Sequence, residues 1–498
     1  MKANESKYVL ALDQGTTGTR AIIFNEDGEI VGAAYKEFKQ IYPQPGWVEH
    51  DPVEILHTVY YTAAEALKNG GISAEQIEAM GIANQRETVV AWDSKTGAPL
   101  YNAVVWQCRR SADECRRLIE AGCEQLIYEK TGLMPDAYFS ATKMKWLLEN
   151  VPQVREAADA GRLRFGTVDT FLMFKLSGGK IYATDYTNAA RTMLFNIHKR
   201  EWDADLLQLF SIRRDMLPNV FPSGHTYGYA SKELTGKEIP ICAVAGDQQA
   251  ALFGQHCFAP GAAKCTFGTG LFLLCNTGGE NVNSKQGLIT TLASDADGLP
   301  CYALEGSVFT GGAAIQWLRD EMKLIATAEE SEQAAISVPD GGGVYVVPAF
   351  VGLGAPYWDS DARGIVCGIT RGTKREHIVR ATLESIAFQC FDVLHAMERD
   401  TSLSFTRLAV DGGASANNFL MQFLADITGA EIVRPRVVET TALGVAMLAA
   451  HVFGGKTSAM LQKGDFAEKI FKPRLPKEKR DELILGWKVA VARARHKP

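Results

Sequence analysis

Segment 12–20, with QGTTG at its centre, combines residue types that can hold phosphate. Its glycines and threonines lie between short apolar runs, so a tight turn would gather backbone N–H groups and hydroxyls in one concavity. Arg20 adds a cation, and Asp13, at the end of a predicted buried strand, could ligate Mg²⁺ on the same phosphates. A plain β-turn with a solvated acid is the alternative, and a second G-T-G loop at 268–270 makes it less favoured.

Three other glycine-rich segments are candidates for nucleotide-binding sites. DGGASANN at 411–418 predicts a strand, a Gly-Gly turn and a helix start, where a ring or phosphate could lie against the backbone. Taken alone, an ordinary tight turn is the favoured interpretation. AHVFGGKT at 450–457 misses the phosphate-loop pattern at its first position and follows a helix, so Lys456 is expected to be solvated. GLGAPY at 352–357 fails the dinucleotide pattern.

Arg86 and Glu87 stand side by side where a strand, GIAN, should leave the core. Adjacent opposite charges at a strand end usually form a surface pair of little energetic value. Here AVVWQCRR, interpreted as a strand that ends on Trp106, and PDAYFS, with Tyr138, add aromatic rings. An arginine fork and a carboxylate can hold vicinal hydroxyls of a small polyol against an aromatic wall. On residue types alone the two interpretations are balanced.

Asp247 follows the apolar run ICAVAG and precedes a predicted helix. A carboxylate at the C-terminal end of a buried strand lies on the ligand side of an α/β sheet. The bland alternative is a helix N-cap, and one residue can serve both purposes. The nine histidines have no metal-ligand spacing, so we interpret them as structural or surface residues.

The elements that would position these residues follow a repeated pattern. Strands at 8–13 and 19–24 and a third after an Asp-Gly turn predict an antiparallel meander. Asp51, Pro52 and Glu54 predict a helix start with a capping box. Its apolar residues recur at helical spacing: Val53, Leu56, Val59, Tyr60 and Ala63.

The pattern restarts near residue 241 and includes a second hairpin at 262–276, which predicts an internal duplication. Helices are expected at about 375–399 and 417–427, and the charged tail beyond 455 predicts a solvated helix. The fold class predicted is α/β, with two duplicated domains around a central cleft, at 1–252 and 253–498.

Composition excludes several classes of protein. The charge sum of 52 − 58 = −6 argues against nucleic-acid binding and against an anionic-membrane surface. Ten cysteines without a C-x-x-C pair fit a reducing compartment better than a disulfide framework. Without an apolar signal core or a run of ~18 apolar residues, a cytoplasmic protein with no membrane insertion is expected.

Together these segments resemble the FGGY carbohydrate kinases, in particular the members that phosphorylate glycerol. The resemblance runs in register from about residue 7 to 453, and it implies the fold of actin, Hsp70 and the sugar kinases. The segments that carry it are LDQGTTGTRAIIF, YPQPGWVEHDP, GIANQRET, VVWQCRR, GTVDTFLMFKL, TDYTNAARTMLFNI, AGDQQAALFGQ, FGTGLFLL, VVPAFVGLGAPYWD, RGTKREHIVRATLESIAFQ and VDGGASANNFLMQFLADI.

The resemblance also implies roles for individual residues. Asp13 and Asp247 would lie at the metal, and Asp247 would be the general base. The polyol pocket would comprise Arg86, Glu87, Trp106, Tyr138, Asp247, Gln248 and Phe272. The ATP contacts would comprise Asp13, Gln14, Thr16, Thr17 and Arg20 in the first half and Thr269, Gly312, Gln316, Gly413 and Asn417 in the second.

The activity implied is ATP- and Mg²⁺-dependent phosphorylation of glycerol to sn-glycerol 3-phosphate by in-line transfer, the entry step of glycerol catabolism. Glycerol and ATP would be the partners, in a homodimer or homotetramer. Segment 229–240 lacks the glycine- and arginine-rich loop through which some family members bind an allosteric sugar bisphosphate. A pentulose or gluconate kinase and a non-enzymatic ATP-driven scaffold are the alternatives; the second would need no carboxylate base.

Overall fold

The structure is a computed structural model, and it describes residues 7–359, 361–454 and 467–495. Contacts between residues divide the chain into two units. Unit 1 comprises Met1–Phe258, Thr290–Tyr302 and Glu439–Gly464, and unit 2 comprises Ala259–Ile289, Ala303–Val438 and Asp465–Pro498. The division at residue 252 stays a prediction about the domains, and Lys456 lies outside the described residues.

The sheet of unit 1 contains the predicted antiparallel meander, which is confirmed. Its strands are β1 (Tyr8–Gln14), β2 (Gly18–Asn25) and β3 (Ile30–Glu37). The shorter strand β4 (Glu49–His50) lies outside this sheet, and β5 (Ile77–Asn84) pairs parallel with β1. Because β1 and β5 are both buried and end at the same edge, their following loops are neighbours.

The remaining strands of unit 1 include two that complete this sheet. In chain order they are β6 (Val90–Asp93), β7 (Ala103–Val104), β8 (Leu163–Gly166), β9 (Ala183–Asp185), β10 (Phe195–Asn196), β11 (Glu201–Trp202), β12 (Asn219–Phe221), β13 (Gly224–Ala230) and β14 (Ile239–Gly246). The sheet order is β13-β14-β5-β1-β2-β3, with β14 parallel to β5. The expectation that the run at 241–247 opens the second repeat is wrong, because β14 pairs within the first sheet.

Ten described helices belong to unit 1. They are α1 (Pro52–Gly70), α2 (Ala112–Glu120), α3 (Glu124–Thr131), α4 (Ser140–Asn150), α5 (Pro152–Asp159), α6 (Val168–Leu176), α7 (Tyr186–Ala189), α8 (Ala204–Leu209), α9 (Asp247–Gly254) and α14 (Thr440–Gly454). Short 3₁₀ turns lie at Ala74–Gln76 and Arg214–Met216. The core between helices and sheet is aliphatic, with Leu10, Leu12, Ile23, Val59 and Ile82 among its buried members.

Helix α1 begins as predicted but differs in detail. Asp51 accepts the N–H of Val53, which confirms the N-cap. The capping box is wrong, because the Glu54 carboxylate accepts the N–H of Lys39 instead. The buried face is also shifted, since Ile55 is buried and Val53 is 41% exposed. Local spacing could not fix the rotation of the helix because both sets of residues recur every three or four positions.

The second unit repeats the strand order of the first. The remaining strands of the chain are β15 (Ala263–Phe267), β16 (Leu271–Gly278), β17 (Ile289–Ser294), β18 (Pro300–Val308), β19 (Tyr345–Val347), β20 (Ile365–Cys367), β21 (Arg407–Asp411), β22 (Glu431–Pro435) and β23 (Ala467–Phe471). All of β17 except Ile289, and the first three residues of β18, belong to unit 1. The main sheet of unit 2 contains the order β18-β16-β15-β21-β22-β23. The hairpin β15–β16 pairs parallel with β21, just as β1–β2 pairs with β5. The predicted duplication is thus visible in the pairing of strands.

Two helices of unit 2, at 375–401 and 418–428, match the helices predicted at about 375–399 and 417–427. The described helices of unit 2 are α10 (Ala313–Asp320), α11 (Glu330–Ile336), α12 (Arg375–Thr401), α13 (Asn418–Thr428) and α15 (Lys477–Ala494), with a 3₁₀ turn at Gly413–Ala416. Trp487 of α15 is buried and stacks on Phe388 of α12 with ring centroids 5.2 Å apart. The C-terminal helix therefore contributes to the core, beyond the solvated role expected for it.

Helices α9 and α14 of unit 1 approach each other through glycines. A Cβ on Gly444 would lie 1.9 Å from the carbonyl oxygen of Ala250, and one on Gly254 would lie 2.1 Å from that of Thr440. Real atoms cannot approach so closely, so both positions require glycine. Because α9 begins at Asp247, this close packing also fixes the helix that carries the predicted base.

All ten cysteines are free thiols, and most of them are buried. Within the described residues, no helix has the length and apolar character needed to cross a membrane.

We expect Gly444→Ala to push α9 and α14 apart and to lower the free energy of unfolding by ~1–3 kcal/mol, as overpacking usually does. Gly454→Ala is the matched control, since it lies on the same helix and its added Cβ would meet nothing within 4 Å. Chemical denaturation of both variants measures the difference. Equal stability of the two variants would contradict the packing argument.

Candidate active site

The turn between β1 and β2 is tight, and some of its polar groups already form hydrogen bonds within unit 1. The N–H of Gly15 donates to the carbonyl of Gly18 over 3.0 Å and closes the turn. Thr16 accepts a hydrogen bond of 2.9 Å from the indole Nε1 of Trp106, whereas Thr17 is exposed. The loop therefore offers one open hydroxyl and fixes one aromatic ring of the predicted pocket.

Gln14 does not present its side chain to this loop's surface. The side chain is fully buried, donates to the carbonyl of Gly15 and accepts from Nε2 of Gln85 at 3.0 Å. Its predicted contact with ATP would thus have to come from the backbone. Buried polar groups need partners, and Gln85 fills that need within the unit.

Asp13 lies opposite Arg20 in the β1–β2 register, and Arg20 forms an ion pair with Glu439. Desolvation raises the pKa of Asp13 to about 7, with Arg20 opposing the shift and Asp247 and Glu439 adding to it. Asp13 is therefore close to two further carboxylates, those of Asp247 and Glu439, as well as to the guanidinium of Arg20. This is an electrostatic environment in which a bound cation would relieve repulsion.

Arg86 is the most connected residue of the predicted polyol pocket. It is 3% exposed, its Nε lies 3.3 Å from Oδ1 of Asp247, and Nη1 donates to Oε1 of Gln249 at 3.2 Å. Nη2 lies 3.5 Å from the hydroxyl of Tyr138. A Cβ on Gly246 would lie 2.7 Å from Cγ and Cδ of Arg86, so only glycine leaves room for this arginine.

The strand ends explain why these residues meet. β5 and β14 are adjacent and parallel, with Asn84 paired to Gly246 in the register. Arg86 follows the end of β5, and Asp247 follows the end of β14. The C-terminal ends of parallel strands form the ligand edge of an α/β sheet.

Glu87 is buried in an unusual backbone conformation. Its φ is 61°, and its side chain is 1% exposed. Oε1 of Glu87 accepts a 2.6 Å bond from Nε of Arg191, while Nε of Arg86 lies 3.9 Å away. Of the two balanced interpretations of Arg86 and Glu87, the surface pair is wrong, because both residues are buried. Strain in the backbone of a buried charged residue is typical of functional sites.

The aromatic wall is present in part. Trp106 and Tyr138 meet edge to face with ring centroids 5.5 Å apart. The strand predicted to end on Trp106 is shorter than expected, since β7 covers only Ala103–Val104. Phe272 lies in unit 2 on β16 and is half-buried. The rings of unit 1 can cover one face of a small molecule beside Arg86.

Asp247 is the first residue of α9, and its N-cap is Gly246. Its side chain is 31% exposed, and Oδ1 accepts the N–H of Gln248 at 2.7 Å. The amide of Gln248 also donates to Oδ2 at 3.4 Å. The capping alternative is thus only partly correct: the carboxylate binds one N–H of the first turn and remains open to solvent.

The predicted nucleotide residues of unit 2 lie on two turns and a helix start. The N–H of Gly312 donates to the carbonyl of Gly268 at 2.8 Å, which joins the loop at 268–270 to the start of α10. Thr269, Gln316 and Gly413 are exposed. Asn417 is the N-cap of α13 and accepts the N–H of Leu420 at 2.9 Å. Its carbonyl oxygen is therefore engaged within the unit.

The side chains at the candidate site show whether a metal ion could be held there. Among the described residues, no group of three or more His, Cys, Asp and Glu side chains is arranged to hold a metal ion. Mg²⁺ in phosphoryl-transfer sites needs only one or two carboxylates, because phosphates and water complete its shell. The raised pKa of Asp13, with Asp247 contributing, fits such an ion.

Sequence reasoning assigned no role to two residues that touch the predicted pocket. Gln249 binds Arg86, and Arg191 binds Glu87. Arg191 lies in TDYTNAARTMLFNI, a segment that carries the family resemblance without having been given a role. Arg191 is the one charged residue that follows Asp185 in this segment, and this isolated charge could have indicated a functional role.

Known proteins match the chain over almost its whole length. The N-terminal domain of the FGGY family of carbohydrate kinases matches residues 8–254, and the C-terminal domain of that family matches residues 263–453. Glycerol kinase of Caldanaerobacter subterraneus subsp. tengcongensis is 57% identical over 490 residues, which cover 98% of this chain and 99% of the relative. Glycerol kinase 2 of Thermotoga maritima is 57% identical over 489 residues, with coverages of 98% and 99%.

Solved structures give the same result. Plasmodium falciparum glycerol kinase with ADP superimposes with a TM-score of 0.91 at 36% identity, covering 98% of each chain. Gluconate kinase from Lactobacillus acidophilus has a TM-score of 0.87, and at 23% identity it shows the fold alone. The protein therefore has the two-domain α/β fold of the sugar kinases, as predicted. The chain belongs to the FGGY family of carbohydrate kinases, which confirms the family named from the sequence.

The raised pKa of Asp13 predicts a pH-dependent contribution to stability. Its folded-state pKa of about 7 lies above the ordinary value of 3.8, so the folded state binds the proton more tightly. This contribution is complete below the ordinary value and is lost as the pH rises through the folded value. Asp13→Asn removes it, so between about pH 4 and pH 7 the wild type should lose stability relative to the variant. Urea unfolding across this range measures both proteins, and parallel curves would refute the shift.

Proposed function

We propose that this protein transfers the γ-phosphoryl group of ATP to a terminal hydroxyl of glycerol, giving sn-glycerol 3-phosphate. The group formed by Arg86, Asp247 and Tyr138 in unit 1 carries the proposal. The full-length relatives named glycerol kinase support the choice of substrate. The reaction would be the entry step of glycerol catabolism.

Arg86 and Glu87 would bind the vicinal hydroxyls of glycerol. The guanidinium of Arg86 is buried, is held by Gln249 and is directed toward Asp247, so it is pre-organised to donate to an oxygen there. Gln248 would add an amide contact, and Trp106, Tyr138 and Phe272 would cover the carbon chain. Guanidinium donors and aromatic rings together suit a small triol better than a longer sugar.

Asp247 would act as the general base. Its carboxylate is partly exposed and is oriented by the N–H of Gln248 and by Arg86. As the glycerol oxygen attacks phosphorus, a carboxylate oxygen of Asp247 would accept the hydroxyl proton. Within the described residues, no histidine forms a hydrogen bond or an ion pair with Asp247.

ATP would be held by residues of both units. In unit 1 these are Asp13, Gln14, Thr16, Thr17 and Arg20, and in unit 2 they are Thr269, Gly312, Gln316, Gly413 and Asn417. Backbone N–H groups of the two glycine-threonine turns would bind phosphate oxygens. Asp13 and Asp247 would hold Mg²⁺, which when bound neutralises charge on the phosphates. Arg20 would have to exchange Glu439 for phosphate, since the two form an ion pair.

An ADP-release assay with glycerol, dihydroxyacetone, xylulose and gluconate tests the proposal directly. We expect the highest kcat/KM with glycerol and dependence on Mg²⁺. A preference for xylulose or gluconate would replace the glycerol assignment by that of a related sugar kinase. ATP hydrolysis without transfer to any of the four would favour the ATP-driven scaffold.

Asp247→Asn should lower kcat by ~10²-fold or more, because a positioned base typically contributes ~10²–10⁴-fold. Asparagine keeps the size and most hydrogen bonds, so calorimetry should still detect glycerol and ATP. Asp51→Asn, at the N-cap of α1, is the matched control for helix capping and should keep wild-type turnover. Near-native turnover of Asp247→Asn would leave Asp247 with only a structural role.

Arg86→Lys keeps the charge but removes the fork that reaches Asp247, Gln249 and Tyr138. We expect KM for glycerol to rise ~10-fold or more while KM for ATP changes little, because charge-assisted bonds to the polyol are lost. Steady-state kinetics with each substrate varied in turn measures the split. If glycerol KM stays within about twofold, the clamp assignment fails.

A further inference from the structure

One short segment of unit 1 touches three parts of the candidate polyol pocket. The hydroxyl of Thr187 accepts the N–H of Gly246 at 2.8 Å, directly before Asp247. The amides of Asn188 and Asn84 donate to each other at 2.9 and 3.0 Å, just before Gln85 and Arg86. Segment 185–192 thus holds the ends of both β14 and β5.

The third contact of this segment is the ion pair of Arg191 with Glu87. Arg191 is fully buried, and its Nε donates to Oε1 of Glu87 at 2.6 Å. Its guanidinium carbon lies 5.5 Å from the ring centroid of Tyr138 and 5.1 Å from that of Phe139. A single arginine therefore contacts both a carboxylate and a ring of the pocket.

The segment is itself rigidly anchored. One Asp185 carboxylate oxygen accepts the N–H and the hydroxyl of Thr187 at 2.9 and 2.6 Å, and the other accepts the N–H of Asn188 at 2.9 Å. The hydroxyl of Ser223 adds a bond of 2.7 Å to Asp185. All four residues are buried. A carboxylate with this many donors fixes the turn that carries Thr187 and Asn188.

Charge balance explains why an arginine is needed at position 191. Glu87 is buried, and Nε of Arg86 lies 3.9 Å from it but 3.3 Å from Asp247. Without another cation, the field of Glu87 would compete with Asp247 for Arg86. Arg191 supplies such a cation at Oε1 of Glu87, the same oxygen that lies 3.9 Å from Nε of Arg86, and the buried Lys143 adds to the positive field around Glu87. Arg86 can therefore remain directed toward Asp247 and Tyr138.

We propose that segment 185–192 is a platform that positions the polyol pocket and that Arg191 is the positioning residue that sets the orientation of Glu87 and, through it, of Arg86. The proposal rests on the proposed function. It assigns to Arg191 no contact with substrate, and it predicts an effect on glycerol but not on ATP.

The test compares Arg191→Lys with Arg110→Lys in the full-length enzyme. Arg110 is the matched control, because its side chain is also fully buried and pairs with a buried carboxylate, Glu49, at 2.6 Å. Arg191→Lys should raise KM for glycerol by ~10-fold or more and leave KM for ATP within about twofold, since displaced binding groups cost substrate contacts. Arg110→Lys should leave both constants within about twofold.

A double-mutant cycle tests whether Arg191 acts through Glu87. Glu87→Gln removes the charge that Arg191 balances, so Arg191→Lys should raise glycerol KM by a clearly smaller factor in the Glu87→Gln background than in the wild type. Equal factors in the two backgrounds would mean that Arg191 has only a structural role. Unchanged glycerol KM in Arg191→Lys would also overturn the proposal.

Folding and function are monitored separately. Thermal melting shows whether Arg191→Lys and Arg110→Lys are folded. If Arg191→Lys is unfolded, the double variant Arg191→Gln, Glu87→Gln takes its place in the comparison, because it removes both buried charges together. Tryptophan fluorescence of the wild type reports glycerol binding near Trp106. A wild type that neither binds nor phosphorylates glycerol would refute the proposed function, whereas an active wild type with an unaltered Arg191→Lys refutes only the platform.

Discussion

The pairing of buried charges is the constraint on which the candidate site depends. Asp247, Arg86, Glu87 and Arg191 alternate in sign along one line of contacts. An isolated charge in such a place would be costly, whereas one with partners on both sides is tolerated. The same arrangement leaves only the last member, Asp247, substantially open to solvent. The carboxylate of Asp247, at the end of this chain of charges, is thereby held in one orientation.

The sheet explains where this line of charges can form. β5 and β14 are neighbouring parallel strands, so the residues that follow them meet at one edge. Glycine at 246 leaves the room that the stem of Arg86 occupies, and glycines at 254 and 444 let α9 and α14 pack closely below Asp247. Backbone packing thus determines side-chain geometry, because each approach would be blocked by a single Cβ.

Much of this could be predicted from the sequence, and the limits have physical causes. The two hairpins, the helix starts at Asp51 and Asn417 and the residues at strand ends depend on local signals, which short segments carry. The partners of Glu87 and Glu54 depend on residues distant in sequence, which no local pattern reveals. Arg191 lies 104 positions after Glu87, so its role emerged only with the fold. The segment 241–247 was wrongly predicted to open the second repeat for the same reason, because its partner strand β5 is distant in sequence.

Asp13 and Asp247 lie in different surroundings, and different roles have been proposed for them. Asp13 lies beside Arg20 on a buried hairpin, and burial with like charges raises its pKa to about 7. A carboxylate that binds protons near neutrality must release one to bind a metal, so metal binding at Asp13 would be coupled to pH. Asp247 instead accepts the backbone N–H of Gln248 at 2.7 Å, and its Oδ1 lies 3.3 Å from Nε of Arg86, so its carboxylate is held in one orientation. The groups that surround each carboxylate thus support the proposed division of roles, with metal binding at Asp13 and proton acceptance at Asp247.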